Sequence, residues 1–294
     1  MKSKGRIFFC DGNWYLHRCF SVIHEKTSRP LEDVLPMKFL AMVLKDAVAV
    51  KATHILVGFD GHDVFRYDIY PQYKAARSEK SKEKKEEEGY KDLYVALPNL
   101  RKLCAKVGIH FMQHRKYEAD DIWASVATQY PPMGYDVVGG GKDKDGYQNL
   151  GPKVRLYDSS FKPEPRYITA QRAEKIKGVP ISKMIMLQTL LGDKIDDIPQ
   201  VLSLIKAKKV CNEYDSVKDW YNKADKETRK FINANQARLI INNKLVTLRK
   251  DLALPDPELL KPAKNKHLDL DMPKWWFAHQ DMCWPKTKGL FSRK

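Results

Sequence analysis

The sequence predicts an α/β fold: a mostly parallel central sheet flanked by helices. Three observations predict it. Short apolar runs rich in β-formers recur through the N-terminal half. Each runs into an acidic residue at its carboxyl end, and helix-length stretches lie between them. Near-continuous apolar strands suit a sheet covered on both faces, and alternation of strand with helix is the signature of parallel crossovers. In such sheets ligands bind beyond the carboxyl ends of the strands, which is where these acids fall.

In chain order, the first strand is Arg6-Ile7-Phe8-Phe9-Cys10, running into Asp11. A helix is expected over Val34 to Val50, then a strand over His54 to Phe59 running into Asp60. Lys74 to Glu88 holds six basic and five acidic residues and hardly an apolar side chain, so a solvated, mobile segment is expected there. Helices over Tyr90 to Val107 and Ala119 to Tyr130 precede a strand over Tyr135 to Val138, whose Gly run leads to Asp143. From Ile181 the chain reads as helical: Ile181 to Leu191, a turn over Gly192 to Pro199, a helix through Lys206 to Val210, and another from Glu227 to Leu248. Four prolines at 255, 257, 262 and 273 and the aromatics Trp275, Trp276, Phe277 and Trp284 mark an irregular basic tail. The organisation expected is a core over residues 1–178, a helical region over 179–255 and the tail over 256–294.

Composition narrows the function classes. At 43% hydrophobic and 31% charged residues the chain is neither disordered, fibrous nor membrane-spanning. Its 53 Lys and Arg against 37 Asp and Glu leave a net charge of +16, which points to a polyanionic partner. Five cysteines with no C-x-x-C pair suggest neither a disulfide framework nor a zinc knuckle and fit a reducing cytoplasm. The apolar run at residues 7–10 is too short for a signal peptide or membrane span, so neither export nor membrane insertion is expected.

Against that positive balance stand nine acids, at strand ends and in compact motifs: Asp11, Asp60, Glu118, Asp120, Asp121, Asp143, Asp145, Asp193 and Asp196. Each motif alone has an ordinary reading. Glu118 to Asp121 can complement a helix dipole, Asp143-Lys144-Asp145-Gly146 can be a turn, and Gly192 to Pro199 a helix stop followed by a cap. Their co-occurrence favours a metal site. Two like charges 4 Å apart repel by about 4 kcal/mol at an effective dielectric near 20, so converging carboxylates require cations, and Mg²⁺ is suited to a few carboxylates, water and substrate phosphate.

Other chemistry is weak. Gly139-Gly140-Gly141-Lys142 is followed by Asp143 where a phosphate loop needs Ser or Thr. His110 and His114 lie on strand and loop with no third zinc ligand placed beside them. The Trp cluster fits base stacking or a tail folded over the core.

Taken together, Phe9-Cys10-Asp11-Gly12-Asn13, Gly58-Phe59-Asp60, Phe65-Arg66, Tyr73-Lys74-Ala75-Ala76-Arg77, Glu118-Ala119-Asp120-Asp121, Asp143-Lys144-Asp145 with Gln148, and Gly192-Asp193-x-x-Asp196-Asp197-Ile198-Pro199 resemble the 5′-nuclease family. That family includes flap endonucleases, the 5′-3′ exonuclease domain of bacterial gap-filling DNA polymerase, and stand-alone phage 5′-exonucleases and RNases H. The resemblance covers roughly residues 6 to 255, and the length looks like that of a stand-alone phage-type enzyme.

The resemblance implies a PIN-like core, a helical arch at about 74–105 and a helix-hairpin-helix-type duplex-binding region. It implies a two-metal phosphodiesterase using Mg²⁺, with Mn²⁺ as the alternative. Asp11, Asp60, Glu118, Asp120 and Asp121 would surround one ion, and Asp143, Asp145, Asp193 and Asp196 the other. Lys74 and Arg77 match the basic pair at the arch base that steadies phosphate charge. Arg66 and Tyr73, with Lys206, Lys208 and Lys209, would contact DNA. The substrates implied are DNA with free 5′ ends or flaps and RNA in RNA–DNA hybrids, handled by a monomer in the cytoplasm, that of the host if the chain is phage-encoded. The rival reading is a catalytically silent, structure-specific DNA-binding protein of the same fold. Two departures stand out. Ile205 occupies a hairpin position where Gly is expected, which argues against backbone ligation of K⁺ there, and Asp197 replaces the more usual Asn.

Overall fold

A computed structural model describes residues 3–23, 30–86, 92–141, 143–160 and 167–262. Six strands form one sheet: β1 (Gly5–Asp11), β2 (His54–Phe59), β3 (His110–Gln113), β4 (Tyr135–Gly140), β5 (Val154–Tyr157) and β6 (Tyr167–Ile168). Interleaved with them are α1 (Gly12–Ile23), α2 (Leu31–Ala49), α3 (Phe65–Ile69), α4 (Ala75–Glu86), α5 (Leu97–Lys106) and α6 (Ala119–Gln129). After the sheet come α7 (Ala170–Lys177), α8 (Met184–Leu191), α9 (Leu204–Glu213), α10 (Val217–Lys223), α11 (Lys226–Ala234) and α12 (Gln236–Val246).

The sheet order is β3-β2-β1-β4-β5-β6, parallel throughout except for β6, which runs against β5. The chain winds outward from β1 through β2 to β3, then returns to build β4 on the other side of β1. Order therefore reverses between β1 and β4, and a crevice opens at their carboxyl ends. Cys10 pairs with Gly140 and Asp11 with Gly58, so the ends of three strands lie level at this crevice.

Alternation along the strands divides the core. Phe8, Cys10, Ile55, Val57 and Val138 pack on one face with residues of α1, α2 and α5. Ile7, Phe9, Leu56 and Val137 pack on the other with α6 and Leu252 and Leu260 from the chain's later course. A third cluster joins Met184, Leu187, Leu190, Ala207, Cys211, Trp220 and Leu239 of the helical region. A small fourth cluster, Tyr73, Ile198, Leu245 and Val246, ties the start of α4 to that region.

The mostly parallel α/β sheet agrees with the sequence prediction; several elements do not. The charge run, in which hydrophobic periodicity marks no element, is helical as α4, in keeping with the helical arch that the resemblance implies, because Ala, Lys and Glu are strong helix formers whose preference needs no apolar stripe. The helix expected over Ile181 to Leu191 is a 3₁₀ turn at Ile181–Lys183 followed by α8. The one expected over Glu227 to Leu248 is two helices, broken at Asn235. Strands β5 and β6 are additional. The aromatics Trp275, Trp276, Phe277 and Trp284 lie outside the described residues. Among the described residues no helix is long and apolar enough to cross a membrane, and Cys10, Cys19, Cys104 and Cys211 are buried free thiols.

Candidate metal centre

The acids reach the crevice through local structure that each of them helps to form. Asp11 ends β1 and accepts a hydrogen bond from the Trp14 N–H at 3.1 Å, capping α1. Asp60, following β2, accepts from the Ala119 N–H at 2.8 Å. Glu118 stands at the N-cap of α6, one turn before the buried Asp121, whose Oδ2 accepts from the Glu118 N–H at 3.1 Å. Asp143 accepts from the Asp145 N–H at 2.8 Å, and Gln188 of α8 donates to Asp145 Oδ1. Gly192 ends α8 with a φ of 62°, and a Cβ there would meet the Ile198 carbonyl at 2.4 Å, so only Gly admits the loop that follows. That loop carries Asp193 and Asp196 and closes on itself by paired bonds between Asp193 and Ile198.

Asp120, Asp143 and Asp145 come closest together: one carboxylate oxygen from each lies within 4.8 Å of the others. Oxygens on opposite sides of an octahedral Mg²⁺ stand about 4 Å apart, so this oxygen-only set fits a hard divalent ion after small movement. Asp120, Asp145, Glu118, Asp193 and Asp196 line one cavity. Burial and then the Asp60 charge push the Asp11 carboxyl up to about 7, and burial and then Asp143 push Asp145 up to about 7. Asp120 is raised by burial, Asp143 and Asp11, and Asp60 by burial and Glu118. These neighbours resist ionising together, which is the electrostatic condition a bound cation relieves.

Part of that cation demand is met from within the chain. Lys74 Nζ bonds Glu118 Oε1 and lies 4.0 Å from Asp196 Oδ2. Arg77, at 53% exposure, reaches Asp196 Oδ1 at 2.9 Å. Lys144 Nζ lies 2.7 Å from Asp193 Oδ2. Burial opposes ionisation of Asp193, but Lys144 and the Ile195 N–H prevail and hold it below its ordinary value.

Asp121 is the acid that turns away. Arg66 grips it bidentately at 2.6 and 2.8 Å, and the backbone N–H groups of Arg249 and Glu118 complete four bonds to its two oxygens. Asp121, expected with the acids around an ion, is thus the counter-ion of Arg66, and it is absent from the lining of the cavity that holds Glu118, Asp120 and Asp145. Arg66 and Tyr73 likewise do not offer themselves to DNA. Arg66 is 1% exposed, forms an ion pair with Glu118 Oε2 at 2.9 Å and donates to the Leu245 carbonyl. The buried Tyr73 hydroxyl donates to Glu118 Oε2 at 3.0 Å. Both look inward because a guanidinium and a phenol beside buried carboxylates find their best partners there.

Lys206 and Lys209 are exposed on α9 and Lys208 is half-buried. Ile205, 83% exposed, sits in the first turn of α9 without a positive φ, so the backbone has no need of Gly at this point. Sequence reasoning missed Gln188 and Lys144 as partners of the acids, and left Asp197 without a role. Its Oδ2 accepts from the Ala76 N–H at 2.9 Å, at the start of α4.

The family model described as 5′-3′ exonuclease, N-terminal resolvase-like domain, matches residues 6–177. The chain is 29% identical over 289 residues to DNA polymerase I of Rhizobium leguminosarum, covering 91% of this chain and 27% of that protein. It thus spans about a quarter of that relative's length. It is 29% identical over 210 residues to flap endonuclease Xni of Pseudoalteromonas translucida (70% of this chain, 77% of the other). With the 5′-3′ exonuclease of Aquifex aeolicus it shares 25% over 268 residues (88% and 89%). The T5 D15 protein co-crystallised with metal ions has the same fold, with a TM-score of 0.68 at 20% identity over 82% of this chain and 88% of that one. With the family model spanning more than half its length and the acids gathered at the switch point of the sheet, the chain belongs to the 5′-3′ exonuclease family.

Proposed function

We propose that the chain is a structure-selective, metal-dependent 5′-nuclease that hydrolyses phosphodiester bonds in DNA with 5′ ends or flaps, and RNA in RNA–DNA hybrids. The observation that carries this is the convergence of Asp120, Asp143 and Asp145 within 4.8 Å, with the buried Glu118 and the half-buried Asp193 and Asp196 around the same cavity and the basic side chains of Lys74 and Arg77 beside them. The relatives named flap endonuclease and 5′-3′ exonuclease support the same activity.

Asp11, Asp60, Glu118 and Asp120 would hold one Mg²⁺, and Asp143, Asp145, Asp193 and Asp196 the other, directly or through water, with Mn²⁺ as the substitute. Bound there, such ions lower the pKa of an attacking water and neutralise charge on the scissile phosphate. The chain's own groups do the rest. Gln188 orients Asp145, and Tyr73 with Arg66 orients Glu118. Lys74 and Arg77, now paired with Glu118 and Asp196, are placed to turn towards a phosphate as charge develops on it. Lys206, Lys208 and Lys209 of α9 would hold duplex backbone without reading sequence, so duplex grip falls to residues 179–255 and hydrolysis to the sheet domain. The working form is a monomer in a reducing compartment, consistent with its free buried cysteines.

One gel assay tests the reading, using 5′-flap, blunt duplex, single-stranded and RNA–DNA hybrid substrates with Mg²⁺ or with chelator. Cleavage of flap and hybrid is expected with Mg²⁺ and none with chelator. Asp143→Asn should lose at least about a hundredfold in rate while duplex affinity stays close to that of the unmodified chain. Cleavage that survives chelation, or equal loss of binding and cleavage, would overturn it.

A further inference from the structure

Lys74 has a φ of 55° and Asp197 one of 56°, both in the left-handed region. Asp tolerates that conformation through its short polar side chain, whereas Lys gains nothing local from it, so its surroundings must hold Lys74 there. Two bonds from one loop do so. The Lys74 N–H donates to the Asp196 carbonyl at 3.0 Å, and the Ala76 N–H donates to Asp197 Oδ2 at 2.9 Å. Ala76 is the second residue of α4, so the carboxylate satisfies one of the helix's orphan donors and sets negative charge at its positive end.

The loop is itself firmly held. Asp193 and Ile198 close it by a bond in each direction, at 3.0 and 2.8 Å, and Ile198 packs with Tyr73, Leu245 and Val246. A strained Lys between two such anchors has its ammonium directed at Glu118 and Asp196. We infer that Asp197 is a positioning residue for Lys74, its carboxylate capping α4 and thereby holding the left-handed Lys74 against the acids of the crevice. The inference rests on the nuclease reading above. It also gives the loop a second task, since the segment that delivers Asp193 and Asp196 to the crevice fixes the base of α4.

The test uses Asp197→Gly, which removes the carboxylate but keeps a residue at ease with a positive φ, and Asp197→Asn, which retains an acceptor oxygen. Single-turnover cleavage of a 5′-flap duplex in Mg²⁺, affinity for that duplex in Ca²⁺, and amide exchange over residues 75–78 are measured on the full chain. Asp197→Gly should slow cleavage by about 10- to 100-fold, with affinity changed less than about threefold and exchange at Ala76 accelerated. Asp197→Asn should stay within about threefold of the unmodified chain in rate. In a Lys74→Ala background the further loss from Asp197→Gly should shrink to under about threefold. An Asp197→Gly chain that cleaves at the full rate, losses that multiply in the double variant, or unaltered exchange at Ala76 overturns this inference alone. An unmodified chain that cuts none of the substrates overturns the nuclease reading and this one with it.

Discussion

Arg66 shows how far a residue's role depends on what surrounds it. Its guanidinium is enclosed by two carboxylates and a carbonyl, with two parallel hydrogen bonds to Asp121, one to Leu245 and an ion pair with Glu118. Such a pair adds little over an apolar substitute of equal shape, but removing one partner strands the other charge in the interior. Arg66→Met is therefore expected to lower the free energy of unfolding by about 3–5 kcal/mol, read as a fall in the urea midpoint at unchanged slope. Asp121→Asn should also lose stability while the number of Mn²⁺ ions bound stays the same. Loss of an ion instead would return Asp121 to the metal ligands. Single letters in a sequence do not disclose such pairing: Arg66 and Asp121 are 55 positions apart, and only the fold makes them partners.

At the scale of elements, α4 and α9 carry opposite lessons. Helix α4 has almost no apolar side chains, so periodicity is silent about it, and its helical form comes from propensity and from a cap supplied by another segment. Helix α9 is amphipathic, burying Ala207, Val210 and Cys211 while Lys206 and Lys209 face outward, and its pattern was readable. Because phosphate contacts release counter-ions, replacing Lys206, Lys208 and Lys209 together by Ala should flatten the dependence of log affinity on log salt by about 2–3 in slope for a duplex. Filter binding at several salt concentrations measures it, and an unchanged slope would move duplex contact off α9.

For the whole molecule, the controlling fact is an acidic crevice within a chain of net charge +16. The Asp11 and Asp145 carboxyls, pushed up to about 7 from an ordinary 3.8, keep protons in the folded chain that the unfolded chain has already released. The folded state then binds more protons, so in chelator stability falls as pH rises from 3.8 through about 7. Divalent ions replace those protons and should remove most of that fall. Thermal unfolding across this range, with Mg²⁺ and with chelator, checks it: matching profiles in the two conditions would mean that the crevice takes no ion.

Much of this was legible beforehand, for physical reasons that differ by feature. Apolar strands ending in acid announced a parallel sheet with ligands at its carboxyl edge, because alternation and burial are written locally in the side chains. The motif order from Asp11 to Pro199 carried the family. Which acids face the crevice was not legible, nor that Asp121 is spent on Arg66, that Tyr73 looks inward, or that Asp197 caps a helix some 120 positions before it. Hydrophobic periodicity and charge are properties of a segment, so the sequence by itself determined the class of fold, a positive charge balance that favours a polyanionic partner, and the set of acids. Direction and pairing of buried polar groups arise when distant segments meet and every donor must find an acceptor. The tertiary structure alone decided which carboxylates are left free to hold a cation.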